Sequence, residues 1–219
     1  MSVYYRTLDG ATALFPIYAS FFQAVYPKSN YNRFGFYNGF VRCTQTPRAY
    51  ENLINGYVDI IFCMEPSNDQ IARAAERGLE FDMTPIGKDA FVFFVNKNNR
   101  VDNITAGQIR GIYSGVITNW KEIGGEDEAI IPYQRPKNSG SQTLLESIMG
   151  EILIMEPLSE NIVDYMGQII ERVSEYRNYF NAIGYSFLFF ATEMVKNDEI
   201  KLLSIDGIIP SKETIISEE

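Results

Sequence analysis

The apolar residues of this chain switch repeatedly between helical spacing and short unbroken runs, and that alternation limits the folds open to it more than any other feature. Leu14, Ile17, Tyr18, Phe21, Phe22 and Val25 recur at helical spacing and predict an amphipathic helix over 13–25, opened by a Gly10-Ala11-Thr12 turn. Gly39–Cys43 reads as a strand. Thr46-Pro47 supplies an N-cap and an N1 proline for a short helix bearing Tyr50, Leu53 and Ile54, which Gly56 stops. Val58–Cys63 reads as a buried strand, Ser67 as the start of a helix with Ile71, Ala75 and Gly78 on one face, and Ala90–Val95 as a further strand. Thr105 is placed to cap a helix carrying Ile109, Ile112 and Tyr113, and the Gly- and Asn-rich stretch 114–125 leads to a short strand at Ile130–Tyr133. A polar loop over Arg135–Ser141 feeds a helix with Leu144, Leu145, Ile148 and Met149 on one side. Partly helical sequence over 152–180, with Val163, Met166, Ile170 and Val173 in period, and strands at Gly184–Phe190 and Ile200–Ile205 complete the order. Strands alternating with helices define an α/β protein.

Composition narrows the function. The 219 residues are 46% hydrophobic and 14% aromatic, which excludes a disordered chain and leaves room for one larger domain or two lobes. Nineteen Lys and Arg against 28 Asp and Glu give a net charge of −9, a field that repels nucleic-acid phosphates and anionic lipid, so no nucleic-acid partner is expected. The chain has no histidine, which removes Ser-His-Asp and Cys-His catalysis, His-ligated zinc and any histidine pH switch. Nucleotide-loop and nucleophile-elbow motifs are also missing, so neither an enzyme, nor a cofactor, nor a metal site is expected. Cys43 and Cys63 form no C-x-x-C and read first as small buried hydrophobes, second as a disulfide. The N-terminus lacks the apolar region of a secretory signal, and the longest apolar run, Ala90–Val95, falls far short of the roughly 18 residues a membrane span needs.

Three loops are candidates for an anion site. In Arg135-Pro136-Lys137-Asn138-Ser139-Gly140-Ser141 a strand end meets a helix start, where free N–H groups and the helix dipole favour negative charge and serine hydroxyls and a guanidinium add donors. The same residues also read as an ordinary Ser-capped helix with a solvated arginine. Asp9-Gly10-Ala11-Thr12 ends in a helix start too, and reads equally as a plain cap. After the strand ending at Cys63 comes Met64-Glu65-Pro66-Ser67, where Glu65 or Asp59 is placed to accept a hydrogen bond from a protonated oxyanion and so to select phosphate over sulfate. Ser67 as a cap, Asp59 as a structural acceptor and Glu65 as a solvated charge account for the segment as well. Thr44 and Thr46 read as capping residues.

Segments across nearly the whole chain resemble the phosphate-binding family of solute-binding proteins that serve ABC transporters. They are Asp9–Pro16, Ile104-Thr105, Gln108–Gly115, Ile117–Gly125, Arg135 with Ser139-Gly140-Ser141, Ala182–Tyr185 and Ile205–Ile208, in the family's order. The resemblance implies a two-lobed α/β periplasmic-binding-protein-like fold of type II, each lobe a sheet flanked by helices with a cleft between the lobes, divided as 1–94 with 206–219 and 95–205. It implies ligand contacts from Thr12, from the backbone of Ala11 and Ala13, and from Arg135, Ser139, Gly140 and Ser141, with Glu65 as the nearest acidic match in the remaining loop. Two positions depart from the family's pattern: Met64 stands where its acidic residue lies, and Lys137 follows Arg135 where an acidic partner is common.

What the resemblance implies for function is capture of an oxyanion, inorganic phosphate above all, outside the cytoplasmic membrane, and its delivery to an ABC transporter permease on cleft closure. The rival expectation is a ligand-sensing or interaction domain of a membrane-attached protein that has lost transport. The chain also stops short of the family's C-terminal strand, which makes it read as part of a longer, membrane-anchored protein.

Overall fold

The computed structural model describes residues 5–26, 39–174 and 180–217. These form two compact units, one from Met1–Pro85 with Asn138–Thr143, the other from Ile86–Lys137 with Leu144–Glu219. The expected boundaries ran differently, at 94/95 and 205/206. Strand β3 (Phe91–Asn96) pairs with β6 (Ala182–Phe187) and β7 (Ile200–Leu202), and β4 (Asn103–Ile104) pairs with β8 (Ser204–Ile205), so all of these belong to the second unit.

The first unit is built on a short parallel pair, β1 (Leu8–Gly10) and β2 (Ile60–Phe62). The expected strand at 39–43 contributes only a bridge from Val41 to Leu8. After β1 the chain makes one 3-10 turn, Thr12–Leu14, and enters α1 (Phe15–Val25), whose first turn accommodates Pro16 because N–H groups there have no helical acceptor. Tyr18, Ala19 and Phe22 of α1 pack with Leu8. Its expected apolar face is only partly covered: Ile17, Phe21 and Val25 are 40, 47 and 71% exposed. Helix α2 (Gln45–Ile54) starts earlier than expected, with Thr44 rather than Thr46 at its N-cap position, so Pro47 is the third helical residue, still within the first turn. Strand β2 is half exposed, not buried. Helix α3 (Asn68–Ala75) begins at Ser67 as expected, its cap closed by a reciprocal Ser67–Gln70 pair, but it buries Gln70 and Ala74 and exposes Ile71.

The second unit carries a four-stranded mixed sheet in the order β5-β6-β3-β7, with β5 (Ile131–Pro132) parallel to β6 and the other pairs antiparallel. Helix α4 (Ala106–Tyr113) is capped by Thr105 and Gln108 in the same reciprocal way. Ile109, Ile112 and Tyr113 join Phe93, Trp120 and Tyr185 in the core, with Leu145 and Met149 from the later turns of α5 (Gly140–Met149). Helix α6 (Met166–Ser174) packs so closely on β6 that a Cβ at Gly184 would lie 2.6 Å from the Ile169 side chain. Asn96, fully buried, donates to the carbonyls of Val173 (3.3 Å) and Ser174 (3.2 Å) at the end of α6. The expected helical stretch 152–180 is realised over Met166–Ser174, while 175–179 lie outside the described residues. The expected strand at 184–190 ends at Phe187, and Phe190–Val195 wind as a π-helix, so one apolar run serves two elements. A last helix, α7 (Lys212–Ser217), closes the described chain. Among the described residues no helix is long and apolar enough to cross a membrane.

Candidate functional site

The first unit gathers the helix-start loops of α1, α2 and α5. Asp9 organises two of them. It is fully buried, and its carboxylate accepts from the backbone N–H groups of Gly10 (2.8 Å) and Thr44 (2.9 Å), the Thr44 hydroxyl (2.6 Å) and the Asn52 amide (2.8 Å). Both oxygens are therefore fully engaged, and the Gly10–Thr12 turn is tied to the start of α2. Gly10 has no substitute here, since a Cβ would run into the Phe62 carbonyl oxygen and lie 2.9 Å from the Tyr18 ring. Asp9 and Thr44 were not foreseen as a pair; only the Asp-Gly turn preceding a helix hinted at one.

Within the first loop the backbone is already apportioned. The N–H of Ala11 donates to Phe62 O (2.9 Å), which removes it from the expected set of ligand donors, and the N–H of Leu14 returns to Ala11 O (3.1 Å). The N–H groups of Thr12 and Ala13 lie at the start of the helical path, where no intrahelical acceptor exists for them. Cys43 Sγ approaches the Thr12 hydroxyl at 4.0 Å. Both cysteines are free thiols, and Cys43 is exposed rather than buried, because it follows Val41 at the open end of the bridged segment. Burial pushes the Cys63 thiol up to about 12, so it stays uncharged beside Thr46 and Ala11 at neutral pH.

The loop before α5 folds with this unit from Asn138 onward. Asn138 takes a left-handed backbone (φ 67°), which asparagine tolerates, while its side chain accepts from the Ser67 hydroxyl (2.7 Å) and its carbonyl from the Gln70 amide (3.3 Å). Gln45, opening α2, is also left-handed (φ 69°), a strained choice for a residue with a Cβ. Ser139 Oγ accepts the N–H of Gln142 (3.3 Å), and Thr143 N–H closes the first helical bond to Ser139 O (2.9 Å). The helix pattern leaves the N–H groups of Gly140 and Ser141 without intrahelical acceptors. Ser141 is 1% exposed and its hydroxyl has no hydrogen-bond partner, a deficit that a bound anion would meet. Gly140 sits tightly against two side chains: a Cβ there would lie 3.3 Å from Met64 Cβ and Cγ and from Thr46 Oγ1.

The structure thus brings Thr12 and Ala13 into one unit with Ser139, Gly140 and Ser141, and adds Thr44 and Thr46. Glu65 belongs to the same unit but is exposed, and its charge acts on Tyr50, whose phenol is raised chiefly by burial and donates to Met64 O (2.7 Å). Asp59 is a staple for β1: it accepts from the Thr7 N–H (2.7 Å) and hydroxyl (2.8 Å) and from Arg6 (3.2 Å). Those bonds, led by the Thr7 backbone, hold its carboxyl below the usual range. Arg135 belongs to the second unit. It is buried, donates from Nη1 to Val163 O (2.5 Å), and its backbone N–H bonds the Tyr185 hydroxyl (2.9 Å). Burial lowers the guanidinium to about 10, which leaves it charged at neutral pH.

The strands and helices define an α/β protein with several helix starts gathered in its first unit, and comparison with known proteins gives its family. The family described as PBP superfamily domain matches residues 4–219, and the chain belongs to it. Among curated relatives, the phosphate-binding protein PstS of Borreliella burgdorferi is 28% identical over 171 residues, covering 75% of this chain and 59% of that protein. PstS of Bacillus subtilis is 29% identical over 126 residues, covering 57% and 39%. The chain thus spans between about two fifths and three fifths of the length of these relatives. A Clostridium perfringens protein whose crystal structure holds bound phosphate shares the fold at a TM-score of 0.72 and 24% identity, over 97% of this chain and 80% of that one.

Proposed function

We propose that this chain is an extracytoplasmic solute-binding domain that captures an oxyanion, inorganic phosphate foremost, and presents it to an ABC transporter permease. The observation that carries the reading is the start of α5, where the buried, unpartnered Ser141 hydroxyl adjoins the N–H groups of Gly140 and Ser141 and the Ser139 cap. Oriented dipoles held in place by the fold favour an anion without help from net charge, which is why a chain at −9 can bind one. Thr12 and Ala13 add donors from the α1 loop, and Arg135, four residues before Ser139, adds the guanidinium. Arg135 is included because the resemblance to the phosphate-binding family places an arginine together with the Ser139-Gly140-Ser141 motif, and a guanidinium adds charge-assisted donors to an oxyanion. Glu65, being exposed, is left out of the ligand set. The phosphate-binding PstS relatives support the ligand class, the Clostridium perfringens phosphate ABC transporter substrate-binding protein of the same fold supports the transport role, and binding involves no covalent step.

Calorimetry on the Arg135→Ala variant tests the assignment. One charge-assisted hydrogen bond contributes about 1.5–3 kcal/mol, so phosphate affinity should fall by at least about tenfold. Unchanged affinity would remove Arg135 from the site.

A further inference from the structure

We infer that the anion site of the first unit accepts fully ionised tetrahedral oxyanions, sulfate as well as phosphate, because Met64 occupies the place against Gly140 where a carboxylate would turn them away. The inference rests on the proposed binding site and deepens it.

Asp59, just ahead of β2, is held by Thr7 and Arg6, and the segments that carry the loops hold three further carboxylates, Asp9, Glu65 and Asp69. Asp9 is fully buried and its oxygens already accept from Gly10, Thr44 and Asn52. Glu65 is exposed beside Tyr50. Asp69 lies in the first turn of α3, where a negative charge complements that helix's own dipole. The residue whose side chain meets Gly140 is Met64, an apolar stem. Cys63, next in the chain, is kept neutral by burial. The charged residues just before Asn138, Arg135 and Lys137, are cations.

What remains for the anion is a set of donors: N–H groups at two helix starts and the hydroxyls of Thr12, Ser139 and Ser141. Such a set serves every oxygen of a proton-free anion. Monohydrogen phosphate carries one O–H, and a committed carboxylate acceptor would reward that proton while repelling an anion that lacks it. A site built around such an acceptor rejects the analogue without the proton by about 10⁴-fold or more. With a thioether in that place, the penalty on sulfate is absent.

The test is calorimetric titration of the whole wild-type chain with sodium phosphate and with sodium sulfate at pH 7, followed by competition of one against the other. Dissociation constants within about tenfold of each other are expected. A preference for phosphate of about 100-fold or more overturns the inference while leaving the binding site standing. Failure of both anions to bind overturns the binding site and the inference together. In Met64→Asp, sulfate should be weakened more than phosphate. Equal weakening of both would show that position 64 does not discriminate, and would overturn the role given to Met64.

Discussion

Two aspartates hold opposite ends of β1, and both are fully bonded where the buried Ser141 hydroxyl is not. Asp59 staples Thr7 ahead of the strand, and Asp9 ties its last residues to Thr44 and Asn52. Because hydrogen bonds lower the folded-state value of Asp59 below its unfolded one, its contribution is present above the ordinary carboxylate pKa of about 3.9 and is lost as pH falls through the lower folded value. Asp59→Asn should therefore be less stable than wild type in urea melts at pH 7, with the gap closing as pH falls below the ordinary carboxylate range and through the lower folded value. A gap independent of pH would contradict the linkage. Ser141 behaves in the opposite way, since its buried hydroxyl has no partner to lose. Ser141→Ala should leave the ligand-free melting temperature unchanged or raised, and should weaken phosphate by about tenfold or more. A destabilised variant with intact affinity would make the hydroxyl structural. The Ser139-Gly140-Ser141 signal was legible in sequence. Met64 was legible only as a departure from the family's pattern, and the roles of Asp9 and Thr44 were not legible, because they depend on which loops meet across β1, and no local pattern encodes that.

At the scale of elements, the caps at Ser67 and Thr105 were readable in the sequence, while the expected cap at Thr46 gave way to Thr44. Ser67 with Gln70 and Thr105 with Gln108 each place a hydroxyl three residues before a side-chain amide, and both close as reciprocal caps. Ser67 also donates to Asn138, joining the start of α3 to the loop before α5. Ser67→Ala should cost about 1 kcal/mol from the cap alone, and more if the Asn138 bond is also worth something. Chemical denaturation measures the loss, and a neutral result would contradict this reading of the cap. Face assignment was less readable. Spacing placed Ile17, Phe21 and Val25 with Tyr18 and Phe22, yet only the latter pair is covered, since periodicity locates an apolar stripe without showing what packs against it. The run from Gly184 to Phe190 failed for a related reason: a buried strand and a buried helix are equally apolar, so the change at Leu188 left no trace in composition.

For the whole molecule, alternation of strands and helices carried the α/β class, and the motifs spread along the chain carried the family. Strand order did not follow from either, because β3 lies between β6 and β7, partners about ninety or more residues away in sequence, and such pairing is set by the assembled core. The chain's path was also hidden: residues 138–143 fold with the first unit although Arg135 and Lys137 fold with the second. The central claim is that helix-start donors in the first unit hold a phosphate-class oxyanion. Isothermal titration of the intact chain with inorganic phosphate tests it most directly. Saturable binding of one phosphate per chain, micromolar or tighter, with a melting temperature that rises with phosphate concentration, is the predicted result. No heat and no thermal shift at millimolar phosphate would contradict it.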